Sequence, residues 1–265
     1  MTDGDRDCFE VYAIRYATVE RRAGENFIGG DAHEAGMPMD YFVWLAKSAT
    51  QTWVIDTGFN EAAATRRKRR FLGSPVDGLR ALGVEAADVT RVVLTHLHYD
   101  HVGNFDLFPN ATFHLQDREL AYATGRYMAH GFFSGAYELD EITAMVRHVY
   151  AGRVAFHDGD AELGPGISVH RVGGHTKGLQ VVRLWTRGGW LVLASDASHY
   201  FANMEAGRPF PIVADVTEMF DGWARLLELA GDPARIVPGH DPEVMQRFPV
   251  VPGGFDGGIV RLDTA

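Results

Sequence analysis

Apolar residues recur along the chain in short blocks separated by turn-forming residues, and most blocks have the length and composition of strands. VYAIRYATV (11 to 19) is apolar and β-rich, while YFVWLAKS (41 to 48) and TWVIDTG (52 to 58) flank the polar turn Ala49-Thr50-Gln51, a hairpin pattern. SPVDGLRALG (74 to 83) carries an N-cap serine, a proline at the first helical position and a closing glycine, which predicts a short helix. Residues 91 to 95 then read as a buried strand. In the second half, 111 to 116 predicts a strand and 117 to 125 a helix, followed by a polar and aromatic connection through GFFSGAYELDE. ISVHRVGG (167 to 174), LQVVRLW (179 to 185) and GWLVLASD (189 to 196) predict three further strands. DVTEMFDGWARLLELAG (215 to 231) has apolar spacing near 3.6 and predicts a helix, and ARIVPGH (234 to 240) a last short strand. Two strand-rich blocks with covering helices predict a sheet-on-sheet core flanked by helices.

Composition narrows the class. With 265 residues, 46% apolar and 23% charged, the chain can bury a sizeable core, and no linker or low-complexity tract divides it, so one domain over 1–265 is expected. No run approaches the roughly 20 apolar residues of a membrane span. The start, MTDGDRDCFE, carries acids where a signal peptide has a basic region, so a cytoplasmic location with no membrane contact is expected. Cys8 is the only cysteine, which rules out an internal disulfide and a thiolate-rich zinc site. A net charge of −10 argues against a nucleic-acid partner. One basic run stands out, Arg66, Arg67, Lys68, Arg69 and Arg70, read either as a solvated helix face or loop or as an anion or partner contact.

The chemistry concentrates at strand ends. THLHYDH (95 to 101) places His96, His98, Asp100 and His101 directly after an apolar strand, and His175, Asp196 and His240 end later strands in the same way. Four such groups forced together without a metal would leave repulsive or unpaired donors. Imidazole and carboxylate without thiolate suit zinc and also permit manganese, iron or cobalt. His33, His114, His130, His148, His157 and His170 have no such company and read as surface or structural histidines.

The ordered set HLHYDH, His175 in GGHTKG, Asp196 in ASDAS and His240 in PGHD, with Asp56 in VIDTG, resembles the metallo-β-lactamase superfamily, and within it the N-acyl homoserine lactone lactonase branch. The resemblance spans roughly residues 40 to 245. It implies an α/β fold, an αββα sandwich of two mixed sheets packed face to face with helices outside. It also implies two zinc ions per chain, one held by His96, His98 and His175, the other by Asp100, His101 and His240, with Asp196 bridging. Asp56 would position the histidine loop through hydrogen bonds.

The implied reaction is the opening of a lactone, or of a small carboxylic ester, by a metal-bridging hydroxide, with Asp100 carrying the proton to the leaving alkoxide. Quorum quenching and a homodimer are the family expectations. An aryl ester or thioester hydrolase, or a metal-binding module without turnover, are the alternatives. The sequence departs from the branch at the oxyanion donor: the branch has Asp-x-x-Tyr, whereas Asp196 is followed by Ala197, Ser198, His199 and only then Tyr200. Either His199 occupies the donor position, titrating near neutral pH, or a bulge brings Tyr200 inward. Phe27, Ile28, Met37 and Met39 form one candidate pocket wall, or else ordinary core. Residues 200 to 213, with Phe201, Met204, Phe210 and Pro211, form another.

Overall fold

Side-chain alternation along the first strand sets the layering. The computed structural model describes residues 6–31 and 33–264. In β1 (Glu10–Val19), Val11 and Ala13 join one buried cluster while Tyr12 and Ile14 join another on the opposite face. In β2 (Met39–Lys47), Phe42, Trp44 and Ala46 likewise separate from Val43 and Leu45. Both faces are apolar because both are covered.

Thirteen strands form two sheets among the described residues: β3 (Thr52–Ile55), β4 (Arg70–Phe71), β5 (Arg91–Val93), β6 (Thr112–Gln116), β7 (Val154–His157) and β13 (Ile259–Arg261) join β1 and β2 in the first. The second contains β8 (Ala161–Gly164), β9 (Ile167–Arg171), β10 (Gln180–Thr186), β11 (Gly189–Ser195) and β12 (Ile236–Pro238). The first sheet runs in the order β13-β1-β2-β3-β5-β6-β7, with β4 beside β1, and the second β12-β11-β10-β9-β8. Both are mixed: β3, β5, β6 and β7 are mutually parallel, as are β11 and β12, while the remaining pairings are antiparallel.

The inner faces meet in a core where Phe42, Trp44, Trp53 and Ile55 pack with Val169, Val182, Leu184, Leu191 and Leu193. Fully burying one such side chain contributes roughly 1.5–3 kcal/mol. Helix Val216–Ala230 covers the outer face of the second sheet through Met219, Trp223 and Leu226, and helices Pro75–Ala81 and Leu139–Tyr150 cover that of the first through Leu79, Ile142 and Met145. The result is the αββα sandwich.

The structure adds elements that the residue pattern does not predict. The connection after residue 138 is a helix, Leu139–Tyr150, and β7, β8 and β13 are strands of three or four residues. The basic run is not one surface: Arg66 and Arg67 end helix Glu61–Arg67, Lys68 caps it at φ 56°, and Arg70 begins β4.

This topology positions the site. Strands β3 and β5 run in parallel, and β9, β11 and β12 share one direction because β10 is antiparallel to both of its neighbours. Asp56, His96, His175, Asp196 and His240 all follow the carboxyl ends of those five strands. Two of these ends carry non-glycine residues at positive φ, Asp56 at 61° and Ser195 at 45°, a strained backbone that functional sites tend to retain.

Candidate metal centre

The histidine segment leaves β5 and closes into one helical turn. His98 is the N-cap of helix Tyr99–Val102, so Asp100 and His101 sit on a turn rather than in an extended loop. The turn is pinned from below: Thr57 N donates to the His101 carbonyl at 2.7 Å, and the Tyr16 hydroxyl donates to the Asp100 carbonyl at 2.7 Å. Close backbone approach explains the glycine of PGH, since a Cβ at Gly239 would lie 2.7 Å from the Ser195 carbonyl oxygen and from Asp196 Oδ1.

Asp196 is the hub. Its Oδ1 lies 3.1 Å from His240 Nε2 and 3.4 Å from His101 Nε2. Its Oδ2 lies 3.0 Å from His199 Nε2, 3.2 Å from His175 Nε2 and 3.8 Å from His96 Nε2. His98 Nδ1 faces His175 Nε2 at 2.8 Å, and Asp100 Oδ2 is 3.7 Å from His240 Nε2. All eight residues are buried.

The outward nitrogens are already engaged. His101 Nδ1 sits 2.7 Å from Asp56 Oδ2, His175 Nδ1 2.7 Å from the Ile212 carbonyl and His240 Nδ1 2.8 Å from the Asp40 carbonyl. Oxygen partners there place the proton on Nδ1 and leave the Nε2 lone pair facing the Asp196 carboxylate. Lone pairs then face lone pairs, and His96 Nε2, His101 Nε2 and Asp196 Oδ1 are buried with no hydrogen-bond partner. A cation resolves this arrangement. Four sets have ligand atoms within 4.8 Å of one another: His96, His98, His175; His96, His101, Asp196; Asp100, His101, His240; and His175, Asp196, His199. The donor set fits a pair of divalent cations.

Electrostatics divide the histidines of the ring into two groups, three held neutral by burial and two drawn toward the charged form by the carboxylates. Burial first, then the neighbouring imidazoles, hold His96 and His98 well below the usual histidine range, and burial pushes His175 down to about 3. Those three are therefore neutral, as metal ligation requires. Burial opposes charge on His101 and His240 as well, but Asp196 and Asp100, joined at His101 by Asp56, carry both upward.

Asp56 accepts from Thr95 N at 2.8 Å, from Thr95 Oγ1 at 2.9 Å and contacts His101 Nδ1, so it orients the histidine segment from beneath. Glu119 does the same from the side, although the residue pattern gave no hint of it. Its buried carboxylate accepts from Leu97 N at 3.0 Å, Thr176 Oγ1 at 2.6 Å and Gly178 N at 3.1 Å. That one side chain joins the His96–His98 segment to the His175 segment.

The two donor candidates part company. The His199 ring lines the cavity and stacks on Phe210 at 3.7 Å. Burial pushes it down to about 4, below the near-neutral titration that the sequence suggests. The Tyr200 ring lies in the core, with its hydroxyl donating to the Pro38 carbonyl at 3.2 Å. Of the early wall candidates Met39 lines the cavity, while Phe27 is buried beneath Arg208. Of the later ones Phe210 backs His199, and Phe201 and Met204 pack into the core. Tyr41, Arg21, Arg67 and Arg69 line the cavity too, and of these only the two from the basic run carried any signal in the sequence. His114 and His157 stack on each other at 5.3 Å, and His170 pairs with Asp160 at 3.0 Å.

A two-sheet sandwich with a histidine and aspartate cavity at the carboxyl ends of its strands defines a metallohydrolase-type scaffold. The chain belongs to the metallo-beta-lactamase superfamily, whose family model matches residues 36–240. It is 32% identical over 184 residues to the N-acyl homoserine lactonase AttM of Azorhizobium caulinodans, covering 67% of this chain and 68% of that protein. It is also 31% identical over 170 residues to metallo-beta-lactamase domain-containing protein 1 of Xenopus laevis, with 64% and 61% covered. Among solved structures, a quorum-quenching N-acyl homoserine lactone lactonase superposes with a TM-score of 0.78 at 23% identity, covering 94% of this chain and 99% of that one. The dizinc quorum-quenching lactonase AidC superposes with a TM-score of 0.70 at 17% identity, with 98% and 96% covered. Both likenesses speak for the shared fold.

Proposed function

We propose that this chain is a dinuclear zinc hydrolase that opens a lactone, of the N-acyl homoserine lactone type or near it, or a small carboxylic ester. The observation that carries the reading is the Asp196 carboxylate facing five imidazoles, of which His101, His175 and His240 have their other ring nitrogen on an oxygen partner. His96, His98 and His175 would hold one cation, Asp100, His101 and His240 the other, with Asp196 between them; manganese, iron or cobalt could stand in for zinc. When bound, two such cations lower the pKa of a water from ~15.7 toward 7 and polarise a carbonyl oxygen.

The chain's own residues do the rest. Asp100 has one carboxylate oxygen on the His240 side, and the other, 3.8 Å from His101 Nε2, is placed to take a proton and hand it to the leaving alkoxide. His199, neutral at pH 7, is the group beside the reacting carbonyl, and Tyr200 supports the fold behind it. Asp56 and Glu119 hold the ligand-bearing segments in place. Phe210 packs against the His175 ring, and the Ile212 carbonyl accepts from His175 Nδ1.

A single hydrolase domain is part of this reading, supported by β13 pairing with β1 across nearly the whole chain. So are a homodimer and a cytoplasmic setting; among the described residues no helix is long and apolar enough to cross a membrane. The test is hydrolysis of N-hexanoyl homoserine lactone by zinc-reconstituted protein, followed as acid release in weakly buffered solution. Turnover that chelator abolishes supports the reading. Inertness toward lactones, aryl esters and thioesters alike, at full zinc loading, contradicts it.

A further inference from the structure

Three arginines line the cavity over the histidine cluster, and they differ in how their charge is met. Arg67 is neutralised: its Nε donates to Glu138 at 2.7 Å and its other groups reach the Gly135 and Tyr137 carbonyls at 3.0 and 3.3 Å. Arg69 gives Nε to the Tyr99 hydroxyl at 3.1 Å and Nη1 to the Arg67 carbonyl at 2.7 Å. Arg21 donates to the Glu25 carbonyl at 3.0 Å and lies 3.6 Å from the Met39 sulfur. Among the described residues neither Arg21 nor Arg69 has a carboxylate within 4.0 Å.

Both of these guanidiniums are half-buried, where an unpaired charge is costly. Both line the same cavity as Tyr41 and Met39, with the Arg69 guanidinium 5.9 Å from the Tyr41 ring and the Arg21 guanidinium against the Met39 sulfur. Two divalent cations would outweigh the charges of Asp100 and Asp196, so the arginines enlarge an excess of positive charge within a chain of net charge −10. The cavity is small, about 250 Å³, with Met39, Phe132 and Ile212 as its apolar lining. An acyl chain laid across the two guanidiniums would have to desolvate them.

We propose that the cavity takes a lactone or ester whose non-reacting end carries an oxyanion, a carboxylate or a phosphate, bound by Arg21 and Arg69 while the scissile carbonyl lies over the histidine cluster. This inference rests on the hydrolase reading above. Water adds to the carbonyl carbon, the carbonyl–alkoxy C–O bond breaks, and the alkoxide takes up a proton. The product is a hydroxy acid carrying a second anionic group. Arginine suits this task because its fork of N–H donors matches an oxyanion in a way that an ammonium does not.

The experiment uses zinc-reconstituted full-length chain and three probes: 5-oxotetrahydrofuran-2-carboxylate, its neutral amide, and the phosphate monoester of 5-(hydroxymethyl)oxolan-2-one. The ratio of kcat/KM for an anionic probe over the amide should favour the anion, and fall roughly 10- to 100-fold in Arg69→Gln and Arg21→Gln. Arg69→Lys, which keeps the charge, should restore part of the ratio, and added salt should raise KM for the anionic probes alone. Whichever anionic probe is preferred identifies the oxyanion. Amide turned over as well as both anions, with the ratio unmoved by the substitutions, overturns the anion inference and leaves the hydrolase reading intact. Turnover of N-hexanoyl homoserine lactone with none of the three probes opened overturns the anion inference alone; inertness toward that lactone as well counts against the hydrolase reading, and calorimetry then decides the anion site separately. Binding of 2-hydroxyglutarate, the ring-opened carboxylate product, weakened by Arg69→Gln and Arg21→Gln, supports the site; absence of binding overturns it.

Discussion

Asp56 Oδ2 lies 2.7 Å from His101 Nδ1, and both residues are fully buried. The pair links two strand ends: Asp56 closes β3 at positive φ, and His101 lies on the helical turn that follows β5. The carboxylate fixes which nitrogen of His101 carries the proton and aims the other at Asp196. Asp56→Ala should therefore lower zinc affinity or kcat by about 10- to 100-fold, as the loss of such orienting partners does elsewhere. Metal content after dialysis against a calibrated chelator, alongside kcat, checks this; unchanged values for both would remove Asp56 from the account.

Glu119 is a second brace. Its oxygens accept from Leu97 N and Thr176 Oγ1, 22 and 57 residues away in sequence. Glu119→Ala leaves buried donors unpaired, at about 1–3 kcal/mol each before relaxation. A fall in unfolding free energy, together with weaker zinc binding, is expected in denaturant titration of the apo and zinc forms. If the loss is the same with and without zinc, the residue stabilises the fold alone.

His199 and Tyr200 should respond differently. Removing a donor at the reacting carbonyl costs roughly 2.7–4 kcal/mol in barrier terms, so His199→Phe should lose about 10²–10³ in kcat. Tyr200→Phe deletes one hydrogen bond to Pro38, worth about 0.5–1.5 kcal/mol of stability, and should keep kcat. Steady-state kinetics beside thermal melts separates the two; the reverse pattern would reassign the donor to Tyr200.

Away from the site, Glu141 should make stability depend on pH. Burial first, then Asp106, Glu138 and Asp140, pushes its carboxyl up to about 7 in the folded chain. A folded-state value above the unfolded one favours the folded state while the proton is on. That contribution is complete below the ordinary carboxyl range near 4.5 and is lost as pH rises through 7. Glu141→Gln should melt higher than the parent at pH 8, with the gap closing toward pH 5. A gap independent of pH would show that Glu141 titrates normally.

Much of this architecture is legible in the residues because strands buried on both faces read as near-continuous apolar runs, as WLVLAS does and as VYAIRYATV does apart from Arg15 and Thr18. The ligand set is legible for a related reason: His96, His175, Asp196 and His240 each interrupt such a pattern just past a strand end. Helix Leu139–Tyr150 does carry apolar residues at helical spacing, Ile142, Met145, Val146 and Val149, but it follows directly on the aromatic connection, and only Ile142 and Met145 of it are buried. Strands β7, β8 and β13 span three or four residues each, too short to show a period. Arg21, Arg69 and Glu119 gain their meaning from partners brought close, or kept away, by the folded chain. Spacing along the sequence carries no trace of that.

The central claim is that the buried ring around Asp196 holds two cations. Titration of chelator-stripped protein with zinc, read by elemental analysis and by activity on the same samples, tests it most directly. The account predicts saturation at two equivalents per chain, with hydrolysis appearing as the sites fill and vanishing when they are emptied. Binding that saturates below one equivalent, or hydrolysis that persists with chelator in excess, would contradict it.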